Sequence, residues 1–556
     1  MSDFLLSPQE LGLPPKFQNW RPNQQPALND VLEDCQEYRF LPVTMPTGSG
    51  KSPWYIALAL FMGWRTIVLT RTKSLQRQLM DDFGCIGMVD IRGRANYPCR
   101  MAPLFTCEDG LHAKCPYAHD ARCEYNQAKQ AALDSSLVVT NYSYWPLINM
   151  FGEGLGDFDL IVLDEGAEAP QAVCDVMSVT LTAREVYHML NKDWPANAAN
   201  AGISTWQEWS RHMVGLAEIE YDAIKLHISQ ARGDVTEQVV KRCSQWAALV
   251  RKLKTVATAK GPWASEEHRG KTEGYRLEPL WPNEYAESVL YQGIPHVMPI
   301  SATLRRKTLS LLGMEEGSYM FREYPYIFPE KRAPIYYVPT AKMSKYMEEV
   351  DRISIHYMIK QLMEPRMDRK GVILVPSYEL AEEVIDRAGY KHCMFMHERS
   401  SSSVDAAIQR LRDSVAPACL VTPAMWGGYD LAYQLAEYCI IPKVPFVQIK
   451  GSKIMDARCN KKKGGDPDYA DYLMAQDLQQ GPGRIMRAPD DQGETMILDT
   501  NMDWVWPAMK MTQFTSWFRF LYKPWTVRVN GVMQRREKLP APPPRLEARK
   551  STSGAI

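Results

Sequence analysis

Apolar runs of strand length alternate along the chain with helix-like stretches. "FLPVTMPTGSGKSPWYIALAL" (40–60) reads as a short strand, a glycine-containing loop and an apolar helix. "FDLIVLDEGAEAP" (158–170) is apolar until two acids end it, the pattern of a strand buried on both faces of a parallel sheet. "TIVLTRTKSLQRQL" (66–79) predicts a strand running into a helix start, and "GVILVPSYELAEEV" (371–384) and "ACLVTPAMWGGYDL" (418–431) predict strands of a second α/β domain. Residues 179–284 differ: "VTEQVVKRCSQWAALVRKLKTV" (235–256) is amphipathic and predicts a helical insertion. The longest apolar run, "PWYIALALFMGW" (53–64), is too short to span a bilayer and predicts a buried helix.

The loop in the first unit carries chemistry. In "TGSGKS", Gly48 and Gly50 let backbone N–H groups close on phosphate oxygens at a helix N-terminus, so Thr47, Gly48, Ser49, Gly50, Lys51 and Ser52 form a candidate phosphate loop. Lys51 would reach the β- and γ-phosphates and Ser52 would bind Mg²⁺. Met45 stands where the general pattern has its first glycine. Asp164, ending its strand, is placed to hold Mg²⁺, and Glu165 to polarise an attacking water. Together these predict an NTPase.

Composition narrows the setting. The 65 Lys and Arg balance 65 Asp and Glu, so any polyanion surface must be a local patch. The first residues lack a basic region followed by an apolar core, so no secretory signal is expected. The twelve cysteines are then expected as reduced thiols or metal ligands in a cytoplasmic protein with no membrane partner. Four of them, Cys99, Cys107, Cys115 and Cys123, recur every eight positions. Eight residues advance a helix by about 12 Å and turn it by about 80°, so one helix cannot gather them. Pro98, Pro103, Gly110 and Pro116 agree with loops. The residues leave three readings open: unbound thiols, Zn²⁺ with His112 or His119 replacing a thiolate, or a [4Fe–4S] cluster.

The order of "RPNQQ" (21–25), "MPTGSGKS" (45–52), "TRTKSLQRQ" (70–78), "LDEGA" (163–167), "SATL" (301–304), "VPSYELAEEV" (375–384), "WGGYDL" (426–431) and "QQGPGRIMR" (479–487) resembles superfamily two helicases. The cysteine segment and the "VVTNYSYW" (138–145) that follows it resemble the XPD/DinG branch, the iron–sulfur 5′→3′ DNA helicases. The resemblance implies an α/β protein of two RecA-like motor domains with ATP between them, the first interrupted by an Fe–S loop domain and a helical arch-like insertion. The expected boundaries are motor domain 1 in 1–95, 124–178 and 285–325, the four-cysteine domain in 96–123, and the insertion in 179–284. Motor domain 2 is expected in 326–530, with a mobile basic, proline-rich tail in 531–556.

The resemblance also implies roles for single residues. Gln24 would meet the adenine, and Thr72 and Lys73 a DNA backbone. Ser301 and Thr303 would lie between the ATP cleft and the track. Gln480, Arg484 and Arg487 would face the γ-phosphate from the second domain. It favours the [4Fe–4S] cluster over zinc because the family carries its cluster at this place. It implies single-stranded DNA and single-strand/duplex junctions as partners, bound largely without sequence preference, with Tyr142, Tyr144 or Trp145 as stacking platforms or as core. One departure stands out: Gly166 and Ala167 occupy the positions where the family's D-E-A-H box has alanine and histidine. Two rivals follow: a nucleic-acid-stimulated translocase that does not unwind, and a metal-stapled DNA-binding protein with a degenerate ATP site.

Overall fold

The computed structural model describes residues 6–102, 104–230, 236–270, 272–344, 346–423, 431, 435–485, 491–529 and 532–544. In chain order its strands begin with β1 (Val43–Thr44), β2 (Thr66–Thr70), β3 (Val89–Asp90), β4 (Leu137–Asn141) and β5 (Leu160–Asp164). They continue with β6 (Val179–Thr182), β7 (Trp263–Arg269), β8 (Glu273–Pro279), β9 (His296–Ser301) and β10 (Arg322–Glu323). Seven of these ten form a sheet in the order β10-β1-β9-β5-β2-β4-β3, with every pairing parallel. All five residues of β2 and all five of β5 are buried. Helices on both faces of a parallel sheet exclude water, which is why these strands read as unbroken apolar runs.

A second parallel sheet takes the order β13-β14-β12-β15-β16-β11-β17. Its strands are β11 (Ile335–Ala341), β12 (Lys370–Leu374), β13 (Met394–Phe395), β14 (Ala418–Thr422), β15 (Tyr438–Ile441), β16 (Glu494–Asp499) and β17 (Tyr522–Pro524). Two RecA-like α/β domains therefore face each other. The apolar contact between them includes Leu311 of the first with Tyr469 and Tyr472 of the second. The first domain's loop after β9 docks there too: Trp517 Nε1 donates to Ala302 O at 2.7 Å, and Thr308 Oγ1 meets Tyr472 Oη at 2.9 Å.

Between β5 and β9 the chain leaves the first sheet. The helices Ile203–Gln230 and Glu237–Ala257 pack along each other, as the amphipathic pattern predicts. The insertion is not helical alone, because β6, β8 and β7 form an antiparallel sheet beside them. β7, "WASEEHR", is largely polar and partly exposed, so it lacks the apolar signature of a strand. The C-terminal segment also differs from a mobile tail as far as residue 544. β18 (Thr526–Val529) pairs with β19 (Val532–Arg535), and beyond them Arg366 Nη2 donates to Pro540 O at 3.0 Å and Arg369 Nη2 to Pro543 O at 2.6 Å. Residues 545–556 lie outside the described residues.

Candidate active site

Three neighbouring strands of the first sheet, β1, β9 and β5, end on the same edge and present three loops to the second domain. The first is the phosphate loop. Gly48 and Gly50 take left-handed φ of 77° and 76°, and the helix Lys51–Met62 starts directly behind them. A side chain at Gly50 would be strained by that φ and would meet Gln24 Nε2 at 2.5 Å. Gln24 is where its motif predicts, beside the loop, and braces it: Nε2 donates to Gly50 O at 2.7 Å while Oε1 accepts from Arg21 N at 2.7 Å. Arg21, which the sequence reading used only as a motif marker, donates to Gly48 O. Ser49 is fully buried, and its Oγ has no hydrogen-bond partner among the described residues. That orphaned hydroxyl and the two glycine turns fit a loop shaped around a polar ligand.

The second loop follows β5. Asp164 is buried at the strand end, and its carbonyl accepts from Tyr142 Oη at 2.9 Å. Burial, with Asp164 close by, pushes the Tyr142 phenol well above its ordinary value, so it stays a neutral donor. Glu165 has φ 52° and ψ 45°, a left-handed conformation costing a non-glycine residue about 1–3 kcal/mol. The third loop supplies a bridge: Ser301 Oγ donates to Glu165 Oε2 at 3.2 Å, Ser301 and Thr303 hydroxyls lie 3.5 Å apart, and Gln480 Nε2 donates to Thr303 Oγ1 at 3.2 Å. Glu165 is thus tied through two buried hydroxyls to the second domain. Across the cleft the turn Pro482–Arg484 meets the phosphate loop, where a Cβ on Gly483 would lie 2.9 Å from Thr47 Cγ2. Arg487 and the side chain of Arg484 lie outside the described residues.

The track-side expectations divide. Thr72 caps the helix Lys73–Phe83 by accepting from Leu75 N at 3.2 Å, and Lys73 Nζ donates to Asn96 Oδ1. Tyr142, Tyr144 and Trp145 are core and offer no stacking face. Trp145 Nε1 donates to Leu290 O at 2.8 Å, and Tyr144 Oη meets Tyr125 Oη at 2.8 Å. Sequence reasoning missed Arg305. Its guanidinium is buried at the domain contact, donates to Gln513 O and lies 4.9 Å from the Tyr472 ring centroid.

The four regularly spaced cysteines converge. Cys99 Sγ lies 3.8 Å from Cys115 Sγ, and Cys107 Sγ 3.7 Å from Cys123 Sγ. All four line one cavity with Arg94, Arg100 and Tyr117. Cys107 opens a six-residue helix, Cys107–His112, capped by Thr106 and Asp109; Cys99 and Cys115 come from loops, and Cys123 is the N-cap of the helix Glu124–Asp134. A Cβ on Gly110 would sit 2.4 Å from Cys99 Sγ, so only glycine lets this helix pass so near the thiol. Burial pushes the Cys107 thiol up to about 11, while Arg94, donating to its sulfur at 3.4 Å, pulls the other way. Among the described residues, no three His, Cys, Asp or Glu are drawn into a closed metal site. The donor set nevertheless fits a four-thiolate group: four sulfurs, one cavity, and none in a disulfide.

Comparison with known proteins agrees with this geometry. The profile of the helicase C-terminal domain family matches residues 359–519, and that of the type III restriction enzyme res subunit matches 17–171. These two matches, with the relatives and solved structures that follow, support a superfamily two helicase of the XPD/DinG type. The ATP-dependent DNA helicase YoaA of Haemophilus influenzae is 21% identical, over 85% of this chain and 89% of that protein. YoaA of Escherichia coli is 20% identical, over 88% and 92%. In fold, the chain is similar to S. tokodaii Xpd4, with a TM-score of 0.58 at 15% identity, covering 91% of this chain and all of that one.

Proposed function

We propose that the chain is an ATP-dependent DNA helicase that moves 5′→3′ along single-stranded DNA and parts duplex at single-strand/duplex junctions. The observation that carries this reading is the hydroxyl bridge from Glu165 through Ser301 and Thr303 to Gln480, which ties the hydrolytic acid of one RecA-like domain to the other. An ATPase whose site spans two domains can convert hydrolysis into relative movement. Thr47 to Ser52 would hold the phosphates, with Lys51 on the β- and γ-phosphates. Ser52 and Asp164 would hold Mg²⁺, which neutralises developing phosphate charge. Glu165 would take the proton of the attacking water, Ser301 holding its carboxylate in place. Arg484 and Arg487 are assigned to the γ-phosphate on their motif alone. DNA as the track is supported by relatives described as ATP-dependent DNA helicases.

Cys99, Cys107, Cys115 and Cys123 would hold a [4Fe–4S] cluster, which supplies a covalent staple for a segment too short to build its own core. Ala167 in place of histidine favours a second reading, a translocase that hydrolyses ATP on DNA without unwinding. Strand displacement on 5′-tailed and 3′-tailed duplexes, with ATP turnover measured in parallel, separates the two. Unwinding of the 5′-tailed duplex alone is expected; DNA-stimulated turnover without displacement of either supports the translocase.

A further inference from the structure

A second set of contacts runs from the loop after β2 to the second domain without touching the phosphate loop. Arg71 directly precedes Thr72 and Lys73, and its partly exposed guanidinium pairs with Glu168. Glu168, buried to 7% side-chain exposure, ends the turn Gly166–Glu168 that follows the two acids. Ala167 has no side chain able to cross the cleft, but its carbonyl accepts from Gln476 Nε2 at 2.9 Å. Gln476 and its neighbour Asp477 belong to the helix Tyr469–Gln480, which also carries Gln480. Asp477 lies within electrostatic reach of Glu168 and Arg71, and Tyr472 and Tyr142 within reach of Glu168.

We propose that Arg71, Glu168, the Ala167 carbonyl, Gln476 and Asp477 form a positioning relay that reports occupancy of the nucleic-acid track to the hydrolytic acids. The relay rests on the reading of the chain as a nucleic-acid-stimulated ATPase and goes beyond it by naming the residues that couple the two. A backbone phosphate arriving at Thr72 and Lys73 competes with Glu168 for the Arg71 guanidinium. Glu168 is the buried end of the pair, and loosening Arg71 leaves its carboxylate desolvated and less compensated, so Glu168 and its turn shift toward whatever else compensates the charge. The turn is covalently joined to Glu165 on one side. Through Ala167 it is hydrogen-bonded to the helix bearing Gln480 on the other. Both halves of the catalytic cleft therefore feel the exchange. Asp477 sets its sign. Burial, reinforced by Glu168 and opposed by Arg71, pushes its carboxyl up to about 7. Neutral below that pH, it leaves Glu168 unopposed; ionised above it, it repels Glu168, so the contact between domains weakens as pH rises through about 7.

The test measures ATP turnover with and without oligo-dT for the wild type, Glu168→Gln, Gln476→Ala and Asp477→Asn. The ratio of stimulated to basal rate should fall at least about fivefold in Glu168→Gln and Gln476→Ala, with the KM for ATP little changed. The wild-type stimulated rate should fall above pH 7, and Asp477→Asn, fixed neutral, should flatten that fall. Thermal melts check each variant's fold; should Glu168→Gln fail to fold, the other two variants carry the test. An unchanged ratio and pH profile in every folded variant overturns the relay alone. No stimulation of the wild type by DNA overturns the nucleic-acid reading and the relay with it.

Discussion

Lys51 is the first residue of its helix, so its position is fixed by the two left-handed glycines before it. Lys51→Ala should reduce ATP turnover by about 10²–10³-fold, the usual loss when one preorganised charge partner is removed, while single-strand affinity stays within about twofold. Nucleotide-release kinetics and fluorescence anisotropy check the two halves. Glu165→Gln keeps the shape of the side chain and its Ser301 neighbour but cannot accept a proton; it should bind ATP and lose about 10²–10⁴-fold in turnover. Normal hydrolysis in that variant would place the base elsewhere. The phosphate loop and the strand-ending acids were legible because their chemistry is local in sequence. The bridge was not: Thr303 and Gln480 are separated by 177 positions, and no spacing rule joins two ordinary polar side chains that far apart. Gln476 and Asp477 were hidden for the same reason, although their places four and three residues before Gln480 are a signal a helical wheel exposes.

At the scale of elements, burial decided what composition left open. The aromatics of "VVTNYSYW" suit either a stacking platform or a core, and β4 delivers them into the core because the helix Tyr144–Phe151 packs its Tyr144, Trp145 and Ile148 inward. The sheet β6-β8-β7 escaped notice because its strands are short or polar, yet it is firmly held. From the second domain's helix Lys453–Cys459, Arg458 Nη2 reaches Glu278 Oε1 on β8 at 2.6 Å and Pro279 O at 2.8 Å, both side chains nearly fully buried. Removing one partner of such a pair strands the other charge in a dry environment. Glu278→Ala should therefore destabilise the protein by about 3–5 kcal/mol in denaturant unfolding. Glu237→Ala, which breaks the exposed pair with Lys241 one helical turn away, should leave stability nearly unchanged, because water and salt screen that pair. Similar losses in the two variants would show that the Arg458 contact is not a structural clamp.

Over the whole molecule, the insertion leaves the first domain by sequence and is clamped to the second by Arg458, while its helices reach the cysteine segment: Lys114 Nζ donates to Ser229 O, and Cys243 Sγ lies 3.8 Å from His112 Nδ1. The cysteine segment is thus tethered to an element clamped to the second domain, and under the proposed helicase reading its rigidity bears on work done on DNA more than on ATP chemistry. Replacing any one of Cys99, Cys107, Cys115 or Cys123 with serine should lower iron and sulfide content and the broad visible absorption after anaerobic purification, and reduce unwinding more than basal ATP turnover. Cys35→Ser and Cys459→Ser, away from the cavity, should leave iron unchanged. The sharper test is Gly110→Ala, because it removes no ligand: its methyl group would occupy space 2.4 Å from Cys99 Sγ, so the helix or the thiol must move. If the four sulfurs share one group, that displacement lowers iron content as a lost ligand would. Full iron retention in Gly110→Ala alongside loss in Cys99→Ser would mean that the segment rearranges on metal binding, and stoichiometric zinc without iron or sulfide in the wild type would replace the cluster with a tetrathiolate zinc site.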